Sequence, residues 1–286
     1  MNVNLIIDST TDLRPGLRER FTIVPLTVHF GDQEYIDGVT ISHREFYEKL
    51  IESDVLPSTS QASPAAFADI FEKVVSRGET AVVLTLSSQL SGTYQSAMIA
   101  ASDYPDSVYV VDSSSVAIGA GILAELALRL RDQGLGAAEI ARHLEVQKQN
   151  IHIVALLDTL EYLKRGGRIS ATVAFAGSLL SIKPVITVKD GVIQMLGKAR
   201  GSKQGNNLLV QQIEKAGGVD FDKPLLLGYS GLSDVLLTKY IEDSRTLWEK
   251  GTEHLPITSI GSVVGTHAGP GANAVAFFRK SQPAGN

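Results

Sequence analysis

Three polar segments of this 286-residue chain bring together side chains capable of chemistry. Ser58-Thr59-Ser60-Gln61 stands ahead of a capped helix. Ser87-Ser88-Gln89-Leu90-Ser91-Gly92-Thr93 directly follows an apolar run. Thr266-His267-Ala268-Gly269-Pro270-Gly271 sets a histidine beside a glycine turn. A hydroxyl-rich loop entering a helix N-terminus offers an anion hydroxyls, free backbone N–H groups and a favourable dipole. The 87–93 loop contains no Lys or Arg, so the anion it suits carries a single charge, as a carboxylate does. The same serines also serve as helix caps, and the segments taken alone leave both uses open.

Other motifs fail on spacing. Gly119-x-Gly121-x-x-Ala124 has the outline of a dinucleotide fingerprint. Seven residues separate Gly119 from Asp112 at the strand end, so the glycines fall inside a helix and read as close packing. Gly191 to Gly197-Lys198-Ala199 is one residue too long for a phosphate loop, and an alanine stands where the magnesium-binding hydroxyl belongs. The six histidines show no His-x3-His spacing, and no Gly-x-Ser-x-Gly elbow is present. Asp8 and Asp12 read as caps rather than magnesium ligands. Cysteine is absent, which excludes disulfides, thiolate catalysis and iron–sulfur or zinc–thiolate sites. No metal and no cofactor are expected.

The elements that must position these segments alternate in the first half. Short apolar runs at 3–7, 22–30, 81–86 and 108–111 read as strands. Helices follow Ser42 (a capping box with Glu45) and Ser63-Pro64, and span about 93–102 and 117–130. This rhythm predicts a parallel sheet with helices on both faces. In the second half, 151–157 reads as a strand and 158–164 as a helix stopped by Gly166-Gly167. Residues 184–188 and 192–196 flank the turn Lys189-Asp190-Gly191 and predict a hairpin, hence a mixed sheet with helices. Helices at 204–216 and 234–248 and strands at 224–229, 257–264 and 274–278 complete it. The expected fold is two α/β domains, 1–155 and 156–286, with a frayed tail at 281–286.

Composition agrees with a globular chain: 44% hydrophobic, 20% charged, net charge −5. No apolar run reaches the ~18 residues of a membrane helix. The N-terminus lacks a basic region and a cleavage site, so a soluble cytoplasmic protein is expected. A pI of about 5.7 argues against nucleic-acid binding. Charge is uneven. Residues 161–203 hold eight Lys/Arg and two acids, a net +6 that leaves −11 for the rest. Such a segment reads either as solvated helix ends or as a docking surface for an acidic partner or phosphate.

Read in order, the chain resembles the DegV family, the fatty-acid-binding proteins that serve as acyl-carrying subunits of bacterial fatty acid kinase. The resemblance rests on Asp8-Ser9-Thr10-Thr11-Asp12-Leu13, Val24-Pro25-Leu26, Thr59-Ser60-Gln61 and Leu86-Ser87-Ser88-x-Leu90-Ser91-Gly92-Thr93-Tyr94. It continues through Val111-Asp112-Ser113, Lys164-x-Gly166-Gly167-Arg168-Ile169-Ser170, Ile182-Lys183-Pro184, Ala199-Arg200 and His267-x-Gly269-x-Gly271. Ala62 stands where the family often has proline, which here comes at Pro64, and Gly201-Ser202 after Arg200 also departs from the family pattern.

The resemblance implies that Thr59 and Ser91 hold a fatty-acid carboxylate, helped by the backbone N–H of Gly92 or Thr93. It places His267 beside that carboxylate, and ties Arg200 and His267 to kinase interaction and phosphoryl transfer. It implies an apolar tunnel between the domains and a long-chain fatty acid as ligand. A separate kinase subunit brings ATP and magnesium and makes the acyl phosphate, so the chain has no activity of its own. Its place would be bacterial phospholipid metabolism, with transient membrane contact for lipid exchange. The chemistry is consistent. A buried carboxylate needs several donors, His267 adds partial positive charge, and each buried methylene contributes ~0.8 kcal/mol. The 117–130 helix and residues 175–180 are candidates for the tunnel wall or for ordinary core. Three other readings compete: a binding protein for a polar small molecule, a serine hydrolase using Ser91 and His267, and an interaction protein without ligand.

Overall fold

A computed structural model describes residues 2–169, 182–248 and 254–280. The first half runs β1 (Val3–Asp8), β2 (Thr22–Val24), β3 (Thr27–Phe30), β4 (Gln33–Ile36), α1 (His43–Glu52), β5 (Ser58–Ser60), α2 (Pro64–Val75), β6 (Thr80–Thr85), α3 (Thr93–Ala101), β7 (Val108–Asp112), α4 (Ala117–Asp132) and α5 (Ala137–Gln147). The second half runs β8 (Ile151–Leu156), α6 (Glu161–Arg165), β9 (Ile182–Lys189), β10 (Val192–Arg200), α7 (Gly201–Lys215), β11 (Leu226–Tyr229), α8 (Val235–Asp243), α9 (Arg245–Trp248), β12 (Ile257–Ser259), α10 (Ser262–Ala268) and β13 (Asn273–Phe278).

The alternating strands and helices produce a parallel sheet of order β2-β1-β6-β7. Period-two alternation splits its side chains between two cores. Ile6, Ala81 and Val83 pack with α1, α2 and α3, while Leu5, Ile7, Val82 and Leu84 pack with α4 and α5. The second sheet is mixed, of order β10-β9-β8-β13-β11-β12, with only β11 and β12 parallel. Helix α4 lies between the two sheets, packing Ile118 and Ile122 in one cluster with Leu5, Ile153 and Phe278. Its glycines allow this closeness: a Cβ on Gly121 would lie 2.0 Å from the Asp12 carbonyl oxygen. The chain passes to the second sheet at Ile151, so β8 lies wholly in that sheet and a division at residue 155 would cut it.

Several expectations are corrected. The run 22–30 is two strands, because Pro25 has no N–H for a ladder and the chain leaves the parallel sheet there. Its second part joins β4 and β5 in a small antiparallel sheet of order β4-β3-β5 that the sequence did not announce. The expected strand at 257–264 stops at Ser259, and Val263 and Val264 lie in helix α10 behind the N-cap Gly261. The helix at 234–248 breaks at Ser244 into α8 and α9, and α5 was not anticipated. The Ser42–Glu45 capping box forms. Asp190 and Gly191 take the positive φ values, 52° and 79°, that the hairpin turn requires. Segments 175–180 and 281–286 lie outside the described residues. Among those described, no helix is long and apolar enough to cross a membrane.

Candidate functional site

A cavity of about 410 Å³ lies between the carboxyl ends of the parallel strands and one face of the mixed sheet. That volume is within the ~300–1,000 Å³ of typical ligand pockets, and carboxyl ends are where open α/β sheets bind ligands. Alternation along β8 supplies the wall. Ile153 and Ala155, with Leu157 just beyond the strand, point into the cavity, while Val154 and Leu156 pack in the core around α7 and α8. Ile186 and Val188 from β9, Ala274 from β13 and Val263 and Val264 from α10 extend the apolar lining. The β-strand faces of the second half thus contribute more wall than the 117–130 helix, which gives only Ala117 and Ile118.

Polar groups gather at one end. Thr59 sits on β5 opposite the fully buried Val28, so its side chain points inward. Its Oγ1 lies 3.0 Å from Nε2 of His267 in the last turn of α10. The two residues are 208 positions apart in sequence. Gly166 makes room for the imidazole, since a Cβ there would fall 2.1 Å from His267 Nδ1. That nitrogen is buried without a hydrogen-bond partner among the described residues. Burial first, and the nearby Arg168 charge second, push the His267 pKa down to about 4. His267 is therefore neutral at neutral pH, and what it offers the polar end is a ring N–H rather than a full positive charge.

Ser91 occupies the turn between β6 and α3. Its Oγ lies 3.0 Å from Thr93 Oγ1 and accepts the Thr93 N–H at 3.3 Å. Gly92 is the N-cap of α3, and the Gln61 amide fills the space where its Cβ would be, at 2.1 Å. Ser91 and Gly92 line the cavity, whereas Thr93 is fully buried behind them. The base of the loop is held from two sides. Asp8 accepts the Leu86 N–H at 2.7 Å, and Ser87 donates to the Gly191 carbonyl at the hairpin tip at 2.7 Å.

The cation at this end is Arg168, a residue to which sequence reasoning gave no role. Its Nε donates to the Leu90 carbonyl at 3.2 Å and its Nη1 to the Gly166 carbonyl, and the side chain lines the cavity. The available signal was its place in the +6 segment directly after Gly166-Gly167. Arg200 is not brought to this group. It ends β10 exposed, its backbone N–H donating to Gln204 Oε1 at 2.9 Å, and it does not line the cavity.

Two alternatives lose ground on this geometry. A serine hydrolase needs Ser91 bonded to His267 and a carboxylate behind the imidazole. Ser91 bonds to Thr93 instead, and among the described residues His267 Nδ1 has no hydrogen-bond partner. A sugar-like ligand calls for aromatic stacking, and among the described residues no Phe, Tyr or Trp lines the cavity. Among the described residues, no group of three or more His, Asp or Glu is arranged to hold a metal ion.

Comparison with known proteins places this arrangement in context. A family model described as an uncharacterised protein of the DegV family matches residues 2–280. A DegV domain-containing protein of Clostridium perfringens is 34% identical over 96% of this chain and 96% of its own length. A solved DegV family protein from Thermus thermophilus, described by its fatty acid binding, superposes with a TM-score of 0.86 at 30% identity, covering 97% of this chain and all 100% of that one. The fatty acid kinase (Fak) B3 protein of Streptococcus pneumoniae, solved loaded with linoleic acid, shares the fold with a TM-score of 0.84 at 23% identity, over 98% of this chain and 100% of its own.

Proposed function

This chain belongs to the DegV family, and on that premise we propose that it binds a long-chain fatty acid and presents the carboxylate to a separate ATP-dependent kinase subunit. The observation that carries this reading is the polarity of the cavity. Aliphatic side chains line most of it, and Thr59, Ser91, Gly92, Arg168 and His267 meet at one end. The fatty acid binding described for the Thermus thermophilus relative supports the same ligand class here.

The division of labour follows from magnitudes. Each methylene moved from water to the apolar wall contributes ~0.8 kcal/mol, so the tail supplies most of the affinity. The polar end sets orientation, because a carboxylate out of water needs donors. With its proton on Nε2, His267 donates to Thr59 Oγ1. The Thr59 hydroxyl hydrogen is then free for the carboxylate. Ser91 and the Gly92 N–H approach from the α3 side, where the helix N-terminus favours negative charge.

In the reaction, a carboxylate oxygen attacks the γ-phosphorus of ATP held by the partner. The β–γ bridging bond breaks, ADP leaves, and an acyl phosphate remains on this chain. Arg168 lines the cavity near His267 and offsets the added phosphoryl charge. Arg200 is exposed outside the cavity on the basic segment and suits contact with the kinase, and the chain itself has no phosphotransferase activity. Domains divided near β8, with the tunnel between them, and brief membrane contact for lipid exchange belong to the same reading.

Denaturation, organic extraction and lipid mass spectrometry test it. A near-stoichiometric fatty acid is expected. An empty extract, followed by failure to titrate delipidated protein with palmitate, would overturn it and return the polar-ligand reading. Arg200→Ala should keep its lipid and lose kinase-dependent turnover; unchanged turnover removes Arg200 from the mechanism.

A further inference from the structure

Thr59 rides on a short edge strand, tied to the domain at the Thr59–His267 and Gln61–Ser96 bonds but weakly held by its own ladder. Strand β5 has three residues and, among the described residues, pairs with β3 alone, at the edge of a three-stranded sheet. Short edge strands fray readily, since few ladder bonds oppose local opening. Displacing β5 would carry Thr59 away from His267 and the carboxylate.

One side chain spans the sheet across this weak point. His29 lies on the central strand β3, opposite Ser58 of β5 and Glu34 of β4. Its Nε2 is 2.8 Å from Ser60 Oγ, and its Nδ1 is 3.5 Å from Glu34 Oε1. The imidazole therefore ties β3 to both neighbours, one through each ring nitrogen. Side chains alternate along a strand, so His29 and Ser60 share the outer face while Thr59 and Val28 point inward. Glu34 is 72% exposed and contributes weakly through solvent, so the Ser60 bond carries the effect.

We propose that His29 is a positioning residue for the ligand carboxylate: by gripping Ser60 it locks β5 and so fixes the inward Thr59 hydroxyl. The proposal rests on the fatty-acid reading of the cavity for its consequence, but not for the locking itself. The Ser60–His29–Glu34 set has the residue types of a hydrolytic triad. However, Thr59 and Ser60 leave the strand on opposite faces, and although Ser60 is among the residues that line the cavity, its Oγ turns to His29 on the outer face.

The test uses delipidated full-length protein and palmitate as probe. His29→Ala and Ser60→Ala should each weaken binding about threefold, since the His29–Ser60 bond is exposed and water replaces part of it, and His29→Gln, which keeps a donor and an acceptor, should recover most of it. In a Thr59→Val background, His29→Ala should cost nothing further. Full affinity in His29→Ala, or an equal loss in both backgrounds, would overturn the proposal. A second readout needs no ligand. Amide hydrogen exchange at 58–60 should speed up in His29→Ala while β1 and β6 stay protected. Unchanged exchange would overturn the locking even if the chain binds no fatty acid.

Discussion

The loops that follow β1 and β6 leave adjacent strands of the parallel sheet at the same end, and both are rich in hydroxyls. Their uses diverge. In the first, Asp8 spends both carboxylate oxygens inside the protein: Oδ1 accepts the Thr10 N–H and hydroxyl, and Oδ2 accepts the Leu86 N–H. In the second, Ser91 and Gly92 face a cavity, and among the described residues the Ser91 hydroxyl bonds within its own turn, to Thr93. The first loop thus braces the second. Spare capacity alone does not make the ligand loop: in the first, Thr11 Oγ1 and Asp12 Oδ2 are buried without a partner among the described residues and Thr10 reaches the same cavity, so what sets the second apart is Ser91 and Gly92 at the N-terminus of α3, which residue types alone do not reveal.

Linkage gives the sharpest way to break this comparison, and the largest effect. Burial pushes the Asp8 pKa up from 3.8 to about 6, against the opposing pull of its Thr10 and Leu86 hydrogen bonds. Between those values the folded chain holds a proton that the unfolded chain releases, so stability falls as pH rises, by about 3 kcal/mol in all. His267 has the opposite sign. Its folded pKa, about 4, is below the ordinary 6.5, so over that window the unfolded chain binds the extra proton and stability rises with pH. The two slopes offset one another in the wild type, and a difference measurement separates them. Relative to wild type, Asp8→Asn should gain about 3 kcal/mol from pH ~4 to ~6.5 in denaturant titrations, with palmitate stoichiometry unchanged. A pH-independent difference would remove burial of Asp8 as the cause.

The next effect lies where the site and the scaffold share a bond. Thr59→Val keeps the shape and removes the hydroxyl, which leaves His267 Nε2 without its partner. Affinity for palmitate should fall about thirtyfold, or about 2 kcal/mol, and stability should fall by about 1 kcal/mol through the stranded imidazole. Loss of stability without loss of affinity would assign Thr59 to the scaffold, on the side of Asp8.

Much of this scaffold could be read before any coordinates. Apolar runs such as Val3–Asp8 form the parallel sheet, and the turn at Asp190-Gly191 forms the hairpin, because local pattern and backbone preference suffice there. What stayed hidden depends on distant partners. Ser58–Ser60 has no apolar alternation and becomes a strand only by pairing with β3. Val263 and Val264 favour a strand by residue type, yet they turn into a helix behind Gly261, where packing against Phe46 and Tyr47 leaves Gly265 no room for a side chain. Thr59, Ser91 and His267 were named through ordered motifs. Arg168 went unassigned because its partner at Leu90 lies 78 residues away and no local pattern joins them.

The smallest effect is the most discriminating, because it falls on the second loop itself. Ser91→Ala removes one cavity-facing hydroxyl and the acceptor for the Thr93 N–H at the start of α3. That N–H belongs to the first turn of a helix, where a lost side-chain cap costs ~1 kcal/mol. Ser91 is only partly buried, so water can replace part of the bond and the stability loss should stay below that figure. The carboxylate, held out of water by the acyl chain, has no such replacement, and palmitate affinity should fall about tenfold. Calorimetric titration and denaturant unfolding on the same variant give the two numbers. A binding loss larger than the stability loss marks the 87–93 loop as the ligand's, whereas a variant that loses stability alone would make Ser91 a helix cap and place both loops in the scaffold.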